Sequence, residues 1–155
     1  MKYLTIFLFG FLFYNYINTE EVKKFRHCLN SNCVVTNVHI EPCPEALDDN
    51  PCEISLGNNA TITFNYQPHF KTQAPKSRLY GVKVIDFPFL DMDSNGCLYT
   101  SCPLEVNVTK QYKFEFHASE IFPRGDHLTK MRIWDDSEKA KFEDQCCILF
   151  DVKLI

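Results

Sequence analysis

Hydrophobic and polar residues alternate with a period of two along much of this chain, a pattern that predicts β-strands. Residues 60–66 show it most clearly, because Ile62, Phe64 and Tyr66 share one face while Thr61 and its polar neighbours share the other. Five further segments are predicted as strands: 34–40, 78–85, 112–116, 128–134 and 146–154. No segment keeps a helical period, and turn signals rich in Gly, Asn and Asp separate the strands. The pattern therefore predicts an all-β fold, an immunoglobulin-like sandwich of two sheets.

Aromatic residues dominate the predicted inward faces. The set comprises Phe64, Tyr66, Tyr80, Phe114, Phe116, Phe122, Trp134 and Phe150. Aromatic rings fill the core of many sandwiches, and the same rings would also line an apolar cavity if the sheets parted at one end. Alternation alone does not distinguish a filled sandwich from a hollow one.

An apolar run at residues 4–13 follows Lys2 and is too short to cross a bilayer. We interpret residues 1–19 as a signal peptide and 20–155 as one mature domain; the alternative is a signal anchor. The predicted destination is extracellular or the lumen of endolysosomes.

The eight cysteines of the chain would then lie in an oxidising compartment, where an even number normally forms disulfides. The sequons beginning at Asn59 and Asn107 predict glycosylation at these two asparagines.

Charge and motifs exclude several functions. Without Lys2, 15 of the 16 basic residues remain against 20 acidic ones, a net charge of −5. A mildly acidic chain does not suit nucleic acid, because phosphate neutralisation requires clustered Lys and Arg. Nucleophile elbows and phosphate loops are absent from the sequence, so we predict no enzyme and no cofactor.

A partial calcium motif occurs at Asp91, Asp93 and Asn95, but its twelfth position is Cys102 in place of an acidic residue. An Asx-capped turn explains these residues equally well, and the five histidines are scattered. We therefore predict no metal site.

Cysteine spacing and flanking residues together resemble the ML lipid-recognition family, which includes the soluble Niemann–Pick type C sterol carrier and arthropod relatives. The similarity covers the whole mature chain. The matching segments are Phe25-Arg26-His27-Cys28, Val38 to Pro44 with Pro51-Cys52, Gly96-Cys97 with Cys102-Pro103-Leu104, and Trp134 with Cys147 and Asp151 to Leu154.

The resemblance implies the bridges Cys43–Cys52, Cys97–Cys102 and Cys28–Cys147. Cys33 and Cys146 depart from the usual six-cysteine pattern, and a fourth bridge between them would run beside the terminal one. Exchange of partners, giving Cys28–Cys146 and Cys33–Cys147, is the alternative.

The family resemblance also implies a ligand site between the splayed ends of the two sheets, under lips that carry Phe-Pro segments. The implied ligand-binding residues are Phe64, Tyr66, Tyr80, Val82, Phe87, Pro88, Phe89, Phe114, Phe116, Ala118, Phe122, Pro123, Trp134 and Phe150. The expected partner is a small apolar lipid, either a sterol or a long-chain fatty acid derivative, with a membrane-protein receptor as a further partner and the chain as a monomer.

Two other functions stay open at this point. One is a lipid-sensing immune module that acts with a receptor, using the acidic loop 45–50. The other is an adhesion module with a filled core and no ligand.

Overall fold

Nine strands and two short 3-10 helices form within residues 21–155, the part of the chain that the computed structural model describes. The predicted signal peptide at residues 1–19 lies outside the described residues. None of the helices in the described part is long and apolar enough to cross a membrane. The strands are β1 Phe25–His27, β2 Cys33–Glu41, β3 Cys52–Ile54, β4 Asn59–Pro68, β5 Lys76–Val82, β6 Asp86–Pro88, β7 Lys110–His117, β8 Gly125–Trp134 and β9 Gln145–Leu154; the helices are Pro44–Asp48 and Gly96–Leu98.

Two sheets contain these strands. The small sheet has the order β2-β4-β7, and the large sheet has the order β1-β9-β8-β5-β6 with β3 parallel to the end of β9. Alternating residues of each strand point into the space between the sheets. In β4 the inward set, Ala60, Ile62, Phe64 and Tyr66, is almost completely buried. The predicted immunoglobulin-like sandwich is confirmed.

Strand β5 differs from its prediction. It ends at Val82, and Val84 lies in an exposed turn before β6. Its inward residues are Ser77 and Leu79, whereas Tyr80 pairs with Lys130 on the outer face of the sheet. The alternation of Tyr80, Val82 and Val84 is misleading, because these apolar residues belong to the outer face and to the end of the strand. The prediction that Tyr80 faces inward is therefore corrected.

Four disulfides are present: the three that the resemblance implied, and the fourth, Cys33–Cys146, in place of the alternative exchange of partners. Adjacent residues of β9 point to opposite faces of the sheet, so the two bridges at its start leave on different sides. Cys146 faces inward and forms a disulfide with Cys33 of the small sheet. Cys147 lies opposite Arg132 of β8, faces outward and forms a disulfide with Cys28. Cys33–Cys146 thus ties one sheet to the other.

Candidate ligand-binding cavity

Aromatic packing fills one end of the sandwich, which we call the closed end. The rings of Phe64 and Tyr112 stack with centroids 4.8 Å apart, and Tyr66 meets Phe64 edge-on at 5.9 Å. Tyr99 packs against Tyr112 from the side at 5.8 Å. These rings leave the closed end filled.

Hydroxyl groups lie between the same rings. The Tyr66 hydroxyl donates to Thr100 Oγ1 at 3.0 Å, and the hydroxyls of Tyr112 and Ser77 are 2.7 Å apart. Burial raises the pKa of Tyr66 to about 12, against the hydrogen bond to Thr100, which lowers it. Burial also raises the pKa of Tyr112. Both phenols stay neutral at physiological pH and act as hydrogen-bonding members of the core.

At the opposite end the sheets part and enclose a cavity of about 530 Å³. Phe89 contacts three other aromatic rings there. Its ring centroid lies 6.3 Å from that of Phe114, 6.1 Å from that of Phe116 and 5.8 Å from that of Phe122. Ala118 is almost completely buried in the same wall, where its small side chain leaves room. The volume lies within the range of small-molecule sites, and the lining is mostly apolar and aromatic.

The mouth of the cavity is formed by short, proline-containing segments. Pro88 ends the three-residue strand β6, and Pro123 precedes β8. Proline cannot donate a hydrogen bond to a sheet ladder, which favours separated strands at this end. Exposed apolar side chains border the mouth, and we call them the rim: Phe87, Leu90 and Ile121. Val84 and Ile85, in the turn between β5 and β6, are exposed as well.

One polar residue is buried in the cavity wall of the described chain. Thr129 is 8% exposed and faces the cavity between Gly81 and Phe150, its neighbours on the adjacent strands. At the mouth, His127 Nε2 lies 2.7 Å from the Pro123 carbonyl oxygen. The wall is thus apolar with a hydroxyl at one internal point and a histidine near the opening.

Most of the implied ligand-binding residues line this cavity. They are Val82, Phe87, Pro88, Phe89, Phe116, Ala118, Phe122, Pro123 and Phe150. Tyr80 also borders the cavity, but it pairs with Lys130 and borders the opposite face of the sheet as well. Phe114 supports the wall through its contact with Phe89, and Phe64 and Tyr66 belong to the closed end. The last three are core residues that do not border the cavity.

The prediction that Trp134 binds the ligand requires a correction. It follows Arg132 on the outward-facing set of β8, and the Arg132 guanidinium lies over its ring at 4.7 Å. Inward positions of β8 are Thr129, Met131 and Ile133, which have the opposite parity. Trp134 therefore lies on the far side of the sheet from the cavity.

Sequence reasoning also missed part of the wall: Leu79, Gly81, Thr129, Val152 and Leu154. The last two continue the alternation of Ile148 and Phe150 along β9, so the pattern contained the signal for them. Leu79, Gly81 and Thr129 carry no such signal, because their orientation depends on the parity of β5 and β8.

The partial calcium motif forms a turn and a helix cap. Asp93 Oδ1 accepts from the backbone N–H of Asn95, and Asn95 Oδ1 accepts from that of Cys97 at the start of the second 3-10 helix. Residues 21–155 contain no group of three His, Cys, Asp or Glu side chains arranged for a metal ion.

A disulfide-linked sandwich with an apolar cavity at one end defines a class of small-ligand-binding domains. The ML domain family model matches residues 22–154, and the chain belongs to this family. A Manduca sexta relative, "MD-2-related lipid-recognition protein", is 26% identical over 138 residues, covering 87% of each chain.

Two solved structures share the fold. The Niemann–Pick type C2 protein from Japanese carpenter ant superposes with a TM-score of 0.71 at 17% identity, over 84% of this chain and 98% of that one. The C-terminal domain of wzt gives a TM-score of 0.57 at 8% identity, over 88% and 81% of the two chains. At these identities the likeness concerns architecture alone.

Proposed function

We propose that the protein is a secreted carrier that binds a small apolar lipid in the cavity and transfers it. The observation that carries this proposal is the apolar cavity of about 530 Å³ enclosed by Phe89, Phe116 and Phe122. Membership of the ML family and the lipid-recognition name of the moth relative support it. The ligand class is a sterol or a fatty-acid-like semiochemical.

The mechanism is binding and release without covalent chemistry. A lipid in water exposes apolar area, and its burial is favourable by about 25 cal/mol per Å². A sterol of roughly 28 heavy atoms at about −0.3 kcal/mol each would bind with about −8 kcal/mol, a micromolar affinity. Such an affinity allows unloading. The exposed rim gives the ligand a continuous apolar path to an acceptor surface.

Two sequence features bear on where the protein acts. Secretion rests on the leader at residues 1–19 and on the four disulfides, which persist in oxidising compartments. Asn59 and Asn107 are both exposed, and we propose both as glycan acceptors. The side-chain nitrogen of Asn59, to which a glycan would be attached, donates a hydrogen bond to Glu115 Oε1 at 2.8 Å. Glycosylation of Asn59 would therefore require this hydrogen bond to break.

A lipid-sensing recognition module is the second candidate, favoured by the name of the moth relative. The two roles differ in the step that comes after lipid binding. A carrier passes lipid between donor and acceptor vesicles, whereas a recognition module stays loaded and forms a lipid-dependent complex with a receptor. A vesicle-to-vesicle transfer assay separates them.

The first experiment is native mass spectrometry of the secreted, deglycosylated protein, with extraction of bound lipid. A stoichiometric apolar adduct is expected, and its identity distinguishes a sterol from a fatty acid derivative. A protein that emerges empty and also refuses fluorescent sterol and fatty-acid probes would overturn the proposal.

Variants then locate the site. Phe89→Asp and Phe122→Asp place a charge in the apolar wall and should abolish probe binding. Leu47→Asp is the matched control, because Leu47 is 69% exposed on the first 3-10 helix and does not line the cavity.

Gly81→Leu supplies an independent test that adds no charge. A Cβ at Gly81 would meet nothing within 4 Å, so the backbone leaves space for a side chain at this position of the cavity wall, and leucine should exclude the ligand. Undiminished binding by all three cavity variants would show that the ligand lies elsewhere.

A further inference from the structure

A second concave site lies on the opposite face of the large sheet. It is a groove of about 350 Å³, which we call the outer groove. Its lining includes Leu29, Tyr80, Asp86, Lys130, Arg132 and Phe142. The cavity lies on the inner face of the same sheet, and Tyr80 is the one residue of the described chain that borders both.

Cations concentrate on this face although the whole chain has a net charge of −4. Arg78 of β5 lies directly opposite Arg132 of β8, and Lys76 and Lys130 occupy the adjoining rows. Like charges in directly opposed positions of two strands repel each other. Arg78 is held by the carbonyl oxygens of Phe89 and Met92, which leave its charge uncancelled.

Few carboxylates compensate these cations. Within residues 21–155 the two salt bridges are Lys130 with Asp86 and Lys153 with Glu53, and neither involves an arginine of the groove. Asp86 is therefore already committed to Lys130. Among the charged residues that line the groove, Arg132 is the one without a salt-bridge partner within the described part of the chain, and its charge favours an anionic occupant.

Arg132 is prepared to receive one. Its guanidinium carbon lies over the Trp134 ring, 4.7 Å from the ring centroid, and the side chain lines the groove. A stacked guanidinium presents a planar fork of N–H donors that matches a carboxylate with two parallel hydrogen bonds.

Exposed apolar side chains at the edges of the groove indicate that its occupant also has an apolar part. Leu29 is fully exposed and Phe142 is 71% exposed, and both line the groove. Exposed apolar side chains beside a charged centre are typical of protein interaction sites.

We propose that the outer groove docks a segment of a partner protein that presents a carboxylate next to a large apolar side chain. The carboxylate would bind Arg132, and the apolar side chain would pack on Leu29 and Phe142. A concave pocket of this size with one planar donor fork suits a side chain better than it suits a lipid bilayer, whose surface is broad. Because the groove and the cavity occupy opposite faces, a docked partner would leave the cavity mouth open.

Trp134 allows a direct test, because it is the single tryptophan of the chain and touches Arg132. The probe is an acetylated, amidated pentapeptide of alternating glutamate and leucine, titrated into the full-length protein while Trp134 fluorescence is followed. Saturable binding is expected, weakened by salt, and abolished for the peptide in which glutamine replaces each glutamate.

Arg132→Gln should weaken binding of the glutamate peptide at least tenfold. Arg132→Lys keeps the charge and loses the fork, and should fall between. Phe142→Ala, at an exposed position that folding does not need, should weaken binding severalfold. Lys113→Gln on the exposed face of the small sheet makes the same charge change as Arg132→Gln and should bind normally.

Three outcomes would overturn the proposal. The first is absence of binding by the glutamate peptide. The second is equal binding by the wild type and Arg132→Gln. The third is Arg132-dependent binding of phosphatidylserine vesicles, or of sulfate alone, without binding of the peptide. Lipid loading of the cavity is scored separately with fluorescent sterol and fatty-acid probes, so failure here leaves the carrier function untouched.

Discussion

The two ends of the sandwich are built from the same residue types, but one end is densely packed and the other contains a cavity. At the closed end, Phe64, Tyr66 and Tyr112 pack ring on ring and their hydroxyls find partners. At the open end, Phe89 and Phe122 line the cavity. Aromatic content alone therefore does not distinguish a core from a binding site.

Connections between the sheets account for the difference. The Cys33–Cys146 bridge and the Ser77–Tyr112 hydrogen bond both join the two sheets at the closed end. At the open end, β6 has only three residues and proline interrupts both sides of the mouth. The molecule thus holds one end together and leaves the other able to accept a ligand. Four predictions test this comparison.

The largest contrast is expected between Phe64→Ala and Phe122→Ala. Phe64 is 2% exposed, so its loss should lower the free energy of unfolding by about 3–5 kcal/mol. Phe122 is only partly buried beside the cavity and should cost about 1 kcal/mol while weakening lipid binding. Urea unfolding with disulfides intact measures both, and equal losses would contradict the assignment of the two ends.

Alkaline titration tests the burial of Tyr66. Its pKa of about 12 in the folded protein lies above the ordinary value near 10, so its stabilising effect is complete below pH 10 and is lost as the pH rises through about 12. Two pKa units correspond to about 2–3 kcal/mol. Tyr66→Phe should remove this component from the pH dependence of unfolding. A tyrosinate absorbance titration in which wild type and variant coincide near pH 12 would refute it.

Ser77→Ala examines the hydroxyl pair between the sheets. The buried Tyr112 hydroxyl would lose its partner, so the free energy of unfolding should fall by about 1–3 kcal/mol. Ser119→Ala, at the open end beside the cavity, is the matched control and should change stability by less than about 0.5 kcal/mol. The same unfolding assay compares them, and a neutral Ser77→Ala would show that the pair does not hold the closed end.

The smallest effect concerns Asp135, also at the closed end. Burial raises its pKa, but hydrogen bonds from Ser137 and Thr72 outweigh burial and place the pKa below the ordinary value. Its contribution is therefore present above about pH 4 and is lost as the pH falls through the depressed pKa. Thr72→Val should make stability slightly less sensitive to acid between about pH 4 and 2. Thermal unfolding measured across that pH interval checks the prediction. If stability depends on pH in the same way in the variant and the wild type, the Thr72 hydrogen bond does not lower the pKa of Asp135.

Strong alternation made much of the fold predictable. Strands β2, β4, β7, β8 and β9 were all located, because each buries one face and exposes the other. The short strands β1, β3 and β6 were missed, since three residues are too few to show a period. For β5 the pattern misled: Tyr80 was assigned to the inner face, although its strand partner Lys130 places it outside.

The candidate site was predictable only in part. Phe89, Phe122 and the two prolines were expected from the family resemblance, and they do border the cavity. Trp134 was expected there and lies on the opposite face, because side-chain direction follows strand parity and pairing. No local pattern indicated Thr129 or the outer groove, since both are assembled from strands that meet only in the folded sheet.

The amino-acid sequence by itself determined the class of this protein: short alternating strands, eight cysteines with family spacing and aromatic-proline segments. These are local properties, fixed by which residues are neighbours along the chain. Only the tertiary structure decided that the sandwich is hollow at one end and filled at the other. That outcome depends on inter-sheet bridges and ring contacts between residues far apart in the chain, such as Phe64 with Tyr112 and Phe89 with Phe122.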